Sequence, residues 1–166
     1  MPNIVWWKTC VRDSFTRVRK SDVARIALGM MYSLLVILVY QIMGLKVGII
    51  SNAEYRYRDV ILPAFNLNQG SEWDFGVFSG LEGVEKPDTR IYEIALERAG
   101  VAPEEVLHVG DSMRKDYVPA KSVGMHALLL DRFKTPDAEE WRKSGAIVLP
   151  DLMAAKDFLI SENSTS

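Results

Sequence analysis

Gly110-Asp111 closes the apolar run 106–109, and a second acid, Asp116, follows five residues after the first. Two carboxylates at the end of a buried strand suit a hard divalent cation, which prefers oxygen ligands and keeps several waters. Upstream, Ile49-Ile50-Ser51-Asn52 ends another apolar run on small polar residues, and Glu85-Lys86-Pro87-Asp88 precedes a helical pattern. A hydroxyl at Ser51, with backbone N–H groups near it, is suited to phosphate oxygens. A lysine at 86 offsets charge on a phosphoryl group and its attacking nucleophile. Each motif is weak alone: Gly-Asp after a strand is common, and Lys-Pro-Asp also reads as a helix start capped by Asp88. In this order, on these elements, the three together are specific for phosphoryl-transfer chemistry.

The elements around them alternate strand and helix signals from Leu45 to Asp131, the rhythm of an α/β domain. Strands are expected at 47–51, 75–78, 106–109 and 127–130, with a peripheral one at 147–149. Helices are expected at 56–63, 88–99, 116–123 and 152–160, with Gly100 as a left-handed cap and Gly124 as a stop. Strands that are apolar throughout, rather than alternating, argue for a parallel sheet covered on both faces. In open α/β sheets ligands bind outside the carboxyl ends of strands, where Ser51, Asn52, Asp111 and Ser112 stand.

The N-terminal part differs in kind. Ile4, Trp7, Val11, Phe15 and Val18 fall at helical spacing and predict an amphipathic helix with an aromatic face. Residues 26–45 carry no charge, about the length of a membrane span. Arg25 and Lys46 flank the run as they would flank such a span. A buried strand starting at Val47 leaves almost no linker, however, and Ser33 and Gln41 dilute the run, so a buried or exposed helix is the favoured reading and a span the minor one.

At 166 residues the chain is long enough for one sizeable core. A net charge of −2 with no long Lys/Arg block offers no field for nucleic acid. Cys10 is the one cysteine, which excludes an intramolecular disulfide framework and a zinc cluster and fits a reducing cytoplasmic or nuclear compartment. Asn163-Ser164-Thr165 matches a glycosylation sequon by pattern only, with no signal peptide to support it. The expected organisation is 1–45 helical and apolar, 46–160 an α/β core, and 161–166 a disordered tail.

The order Ile-Ser-Asn, Glu-Lys-Pro-Asp and Gly-Asp-Ser-Met-Arg-Lys-Asp resembles motifs two, three and four of the haloacid dehalogenase (HAD) superfamily, over roughly two thirds of the chain. The resemblance implies a Rossmannoid three-layer α/β/α parallel sheet, with 1–45 holding a remnant of the family's helical cap. It implies Ser51 as a phosphate contact beside Asn52, Lys86 as the motif-three catalytic and phosphate-binding lysine, Asp111 as a magnesium ligand and Asp116 as its water-mediated partner. Asn52 and Ser112 shape the pocket. The implied substrate is a small phosphorylated metabolite and the implied cofactor Mg²⁺. The family's first strand ends in an Asp-x-Asp pair, nucleophile and general acid, and the sequence contains no Asp-x-Asp. Asp13 does not restore it, because Phe15 stands at the second position. The expectation is therefore a core lacking its central first strand, weak or absent magnesium binding and impaired catalysis, as in a truncated or spliced product or an imperfect gene model. A non-catalytic binding or regulatory module is the alternative, and oligomeric state is open. Leu34–Tyr40 is not expected to fill the gap, since a parallel neighbour needs a crossover of a dozen or more residues.

Other features have plainer readings. Asp74-Phe75-Gly76 spells the kinase metal motif with none of its companions. His108 is expected to be a packed core histidine and His126 structural. The Trp6-Trp7 pair reads as a core face, or as a substrate-facing cap remnant.

Overall fold

Short runs of β-branched and aromatic residues form the strands. In the computed structural model, which describes residues 4–7 and 44–164, six of them make a single sheet. They are β1 (Ile4–Trp7), β2 (Lys46–Ser51), β3 (Phe75–Phe78), β4 (Val106–Gly110), β5 (His126–Leu130) and β6 (Val148–Leu149). The order across the sheet is β3-β2-β1-β4-β5-β6, and every neighbouring pair is parallel.

β1 corrects two expectations. Residues 4–7 form a strand, not the start of an amphipathic helix, and the core does not lack a central strand. Val5 pairs with Val47 on one side and Leu107 on the other, and Trp7 with Ile49 and Val109. The physical reason is hydrogen bonding. A gap between β2 and β4 would leave two rows of buried backbone groups unpaired, and an extended Ile-Val-Trp-Trp segment satisfies both. Helical spacing of apolar residues carried no information about that demand. The stretch 8–45 is ample for the crossover that parallel neighbours need. The cap remnant, Leu34–Tyr40 and the body of the uncharged run 26–45 lie outside the described residues.

The helices are α1 (Leu62–Ala64), α2 (Ser79–Glu82), α3 (Arg90–Ala99), α4 (Val118–Ser122), α5 (Ala138–Lys143) and α6 (Leu152–Ser164). A π-helical turn leads into α1 at Tyr57–Ile61 and another into α4 at Met113–Tyr117. Gly100 closes α3 in the left-handed conformation at φ 69°, as its position predicts. Helix α6 runs through Ser164, so the expected disordered tail is helical to that point.

Alternate side chains of the strands feed two separate cores, which makes the three layers. On one face Val47, Ile49, Leu107, Val109, Leu128 and Leu130 pack with Tyr57, Leu62 and, from α6, Leu152, Ala155 and Leu159. On the other, Ile50, Val77, Val106 and Ala127 pack with Ile91, Tyr92, Ala95 and Ala99 of α3 and Ala120 of α4. Among the described residues no helix is long and apolar enough to cross a membrane.

Asp74 has a structural task that accounts for its place in the sequence. Its carboxylate accepts the Val47 N–H at 2.7 Å and its own N–H donates to the Val47 carbonyl at 2.8 Å, tying the approach to β3 onto the start of β2. The kinase-like spelling at 74–76 is therefore a strand clasp.

Candidate active site

The carboxyl ends of β2 and β4 face the loop that carries Lys86, and a buried ion pair joins the two sides. Lys86 Nζ lies 2.6 Å from Asp116 Oδ1, with both side chains fully buried. The same ammonium donates to the Ile50 carbonyl at 3.3 Å, so Lys86 links the end of β2 to the turn after β4. A buried charge is tolerated only when paired and hydrogen-bonded. Asp116 meets that condition. Its Oδ1 also lies 3.3 Å from His108 Nε2, and its Oδ2 accepts the Ser112 N–H at 3.1 Å.

Each neighbour has its own support. Ser112 N-caps the turn 113–117, its hydroxyl accepting the Lys115 N–H at 3.1 Å. Asn52 braces the lysine loop through both ends of its amide: Nδ2 donates to the Lys86 carbonyl at 2.9 Å, and Oδ1 accepts the Lys86 N–H at 2.8 Å. Ser51 is buried at the last position of β2. Asp111, half-buried, is the first residue after β4. The structure thus joins Lys86 by hydrogen bonds to Asn52 and Asp116, and Asp116 to Ser112, with Ser51 and Asp111 at the adjoining strand ends.

Three further residues build this site and were missed or undervalued. Gly110 is one. A Cβ there would overlap the Cβ and Cγ of Asp116, so only glycine lets the carboxylate lie against the strand end. The Gly of Gly-Asp is the sequence signal, and its reason is visible only in three dimensions. His108 is the second: buried as expected of a core histidine, it also contacts Asp116. The third is Tyr92 of α3, packed edge-on against His108 at 5.2 Å between ring centres and donating its hydroxyl to the Lys115 carbonyl. Burial, helped by the Asp116 charge, pushes the Tyr92 phenol far above its ordinary value. His126, by contrast, is exposed at the start of β5, and the Arg114 side chain is exposed.

Among the described residues no three His, Cys, Asp or Glu side chains converge as a metal cage. The donor set fits a water-rich magnesium ion more than a tightly caged one. Mg²⁺ is commonly held by one or two carboxylates together with waters and substrate phosphate. Asp111 can supply the direct oxygen. Asp116 is already shared among Lys86, His108 and the Ser112 N–H, so it would serve such an ion less directly than Asp111.

Residues 32–124 match the haloacid dehalogenase-like hydrolase family. The chain belongs to that family. A mouse (Mus musculus) relative, haloacid dehalogenase-like hydrolase domain-containing protein 3, is 40% identical over 87 residues, covering 52% of this chain and 34% of its own length. The zebrafish (Danio rerio) protein of that name is 31% identical over 148 residues, 80% of this chain and 60% of its own. The crystal structure of a HAD phosphatase from Thermococcus onnurineus superposes with a TM-score of 0.66 at 26% identity, over 76% of this chain and 55% of that one. The chain thus spans about a third of the mouse relative's length. The HAD relationship agrees with the fold: a parallel Rossmann-like sheet with the three motifs gathered at its carboxyl edge.

Proposed function

We propose that this HAD-like chain carries a magnesium-assisted phosphoryl-binding site for a small phosphorylated metabolite, with hydrolysis impaired. The observation that carries this reading is the buried bridge from the Ile50 carbonyl through Lys86 to Asp116, which ties three separate motifs together at one edge of the sheet. There, Ser51 and nearby backbone N–H groups meet phosphate oxygens and Asn52 holds the Lys86 loop in place. Asp111 is the direct metal ligand. Asp116 orients Lys86 and reaches the metal through water. When bound, magnesium offsets the charge of the phosphoryl oxygens.

Impairment follows from the sequence. The residues after β1 are Lys8-Thr9-Cys10, with no carboxylate before Asp13 and no Asp-x-Asp anywhere. Deleting a covalent nucleophile costs on the order of 10⁶ in rate in a serine protease, and a similar deficit is expected here. The expected result is no magnesium-dependent turnover of p-nitrophenyl phosphate above background. Turnover that Asp111→Ala abolishes would falsify impairment and require another nucleophile. The metal site is tested separately. Binding of Mn²⁺, followed by its electron paramagnetic resonance signal, is expected to be millimolar or weaker and to be lost in Asp111→Asn; micromolar affinity, or binding indifferent to Asp111, counts against the assignment.

The same missing carboxylates support a second reading, a non-catalytic module that binds a phosphorylated ligand and signals its presence. Phosphate binding without turnover fits both, and a partner protein captured only with ligand present favours the second.

A further inference from the structure

Gly110 of β4 pairs with Leu129 of β5, so the chain leaving β5 after Leu130 runs beside the chain leaving β4 at Asp111. The β5 loop is folded back by Asp131, whose Oδ1 accepts the Thr135 N–H at 2.7 Å, and by Lys134 at φ 53°. The other Asp131 oxygen faces Arg142 at 4.0 Å. Two buried donors of this loop, Arg132 Nε and Thr135 Oγ1, have no hydrogen-bond partner among the described residues. Such atoms are few in native proteins and each calls for an explanation. Burial lowers the Arg132 pKa from its ordinary value, and the Asp111 carboxylate, within electrostatic reach, works against that.

We propose that Arg132, with the Thr135 hydroxyl of the same loop, is an anion-positioning site that receives the phosphoryl oxygens of the ligand beside Asp111. The inference rests on the phosphoryl-binding reading above and adds a residue outside its three motifs. Charge is the argument. Lys86 is buried and committed to Asp116, so the two cancel. A phosphate monoester carries about −1.5 to −2 near neutral pH. Arg132, whose buried Nε lacks a hydrogen-bond partner among the described residues, offers that anion a positive charge from the loop beside β4. A guanidinium is suited to the task, because its planar fork of N–H donors matches two phosphate oxygens at once.

The test uses the purified chain with inorganic phosphate as probe, titrated calorimetrically in saturating Mg²⁺. Mn²⁺ binding and the thermal transition serve as controls. Arg132→Gln is expected to raise the phosphate Kd about tenfold or more and to leave Mn²⁺ binding in place. Arg132→Lys, which keeps the charge without the fork, is expected to fall between, and it carries the test if the glutamine variant does not fold. A phosphate Kd within about twofold of the parent in either folded variant overturns the proposal. So does a parent chain that binds Mn²⁺ but no phosphate, and in that case the metal assignment survives. A parent that binds neither removes the phosphoryl-binding reading itself, and this inference with it.

Discussion

Lys86 and Asp116 illustrate how a charged pair can be buried under a parallel sheet's edge without being a source of net stability. Each ion gives up hydration, and their attraction roughly repays it. Removing one partner is another matter. Lys86→Met strands a carboxylate in the interior and is expected to cost about 3–5 kcal/mol, read as a lower urea midpoint. Pairing it with Asp116→Leu is expected to restore most of that loss, and a double variant as unstable as the single one would contradict the account. Gly110→Ala is a finer probe, since the added methyl collides with Asp116. Overpacking of this kind costs about 1–3 kcal/mol, and a variant with an unchanged transition would mean that the carboxylate has room to move. At this scale the residue types were legible early: Ser51, Lys86, Asp111 and Asp116 stand out by type and spacing. Arg132 did not, because nothing in Asp131-Arg132-Phe133 marks a loop that folds back on itself through Asp131 and Thr135.

Elements were legible where their apolar runs were continuous. Strand β3 has the expected bounds, and β2, β4, β5 and helix α3 differ only at their ends, where fraying makes boundaries soft. Helices α2 and α5 were missed. Each is only a turn or two long, too short to show an apolar rhythm, and α2 is tied down from outside where the Gly80 N–H donates to the Ala53 carbonyl at 3.0 Å. Strand β1 was missed for the opposite reason, a helical apolar rhythm overruled by a demand for hydrogen bonds from both sides. That demand is testable. A proline inside a central strand removes a ladder donor and is found essentially only at sheet edges. Trp6→Pro is therefore expected to abolish the cooperative thermal transition followed by far-ultraviolet circular dichroism. Survival of that transition would show that β2 and β4 manage without β1.

For the molecule as a whole, β1 changes the expected behaviour. A core with an open gap would expose two strand edges and invite association. With β1 in place the sheet's edges are β3 and the two-residue β6, short strands that offer little template for pairing. Global stability should instead show its weakness in alkali. The Tyr92 phenol, buried over His108 and near Asp116, has its folded-state pKa raised well above the unfolded value of about 10. Below that value both states hold the proton and the stabilisation is complete. Above it the unfolded chain ionises and the native one does not, so stability falls with a slope of about 1.4 kcal/mol per pH unit. Tyr92→Phe is expected to start less stable, having lost the bond to Lys115, and to decline less steeply between about pH 10 and 11.5. Parallel stability curves for parent and variant would place the alkaline sensitivity elsewhere.

The depth of Lys86 has a consequence for chemical labelling. Amine-acylating reagents attack the neutral, solvent-reached amine, whereas this one is held as an ion under the sheet edge, with no exposed side-chain surface. Lysines such as 121, 134 and 143 are exposed and will acylate at once. Lys86 will acylate only when the carboxyl edge opens. Its labelling rate, read by mass spectrometry of the peptide containing it, thus times the opening of this site within the chain's own sequence, without any added dye or engineered cysteine.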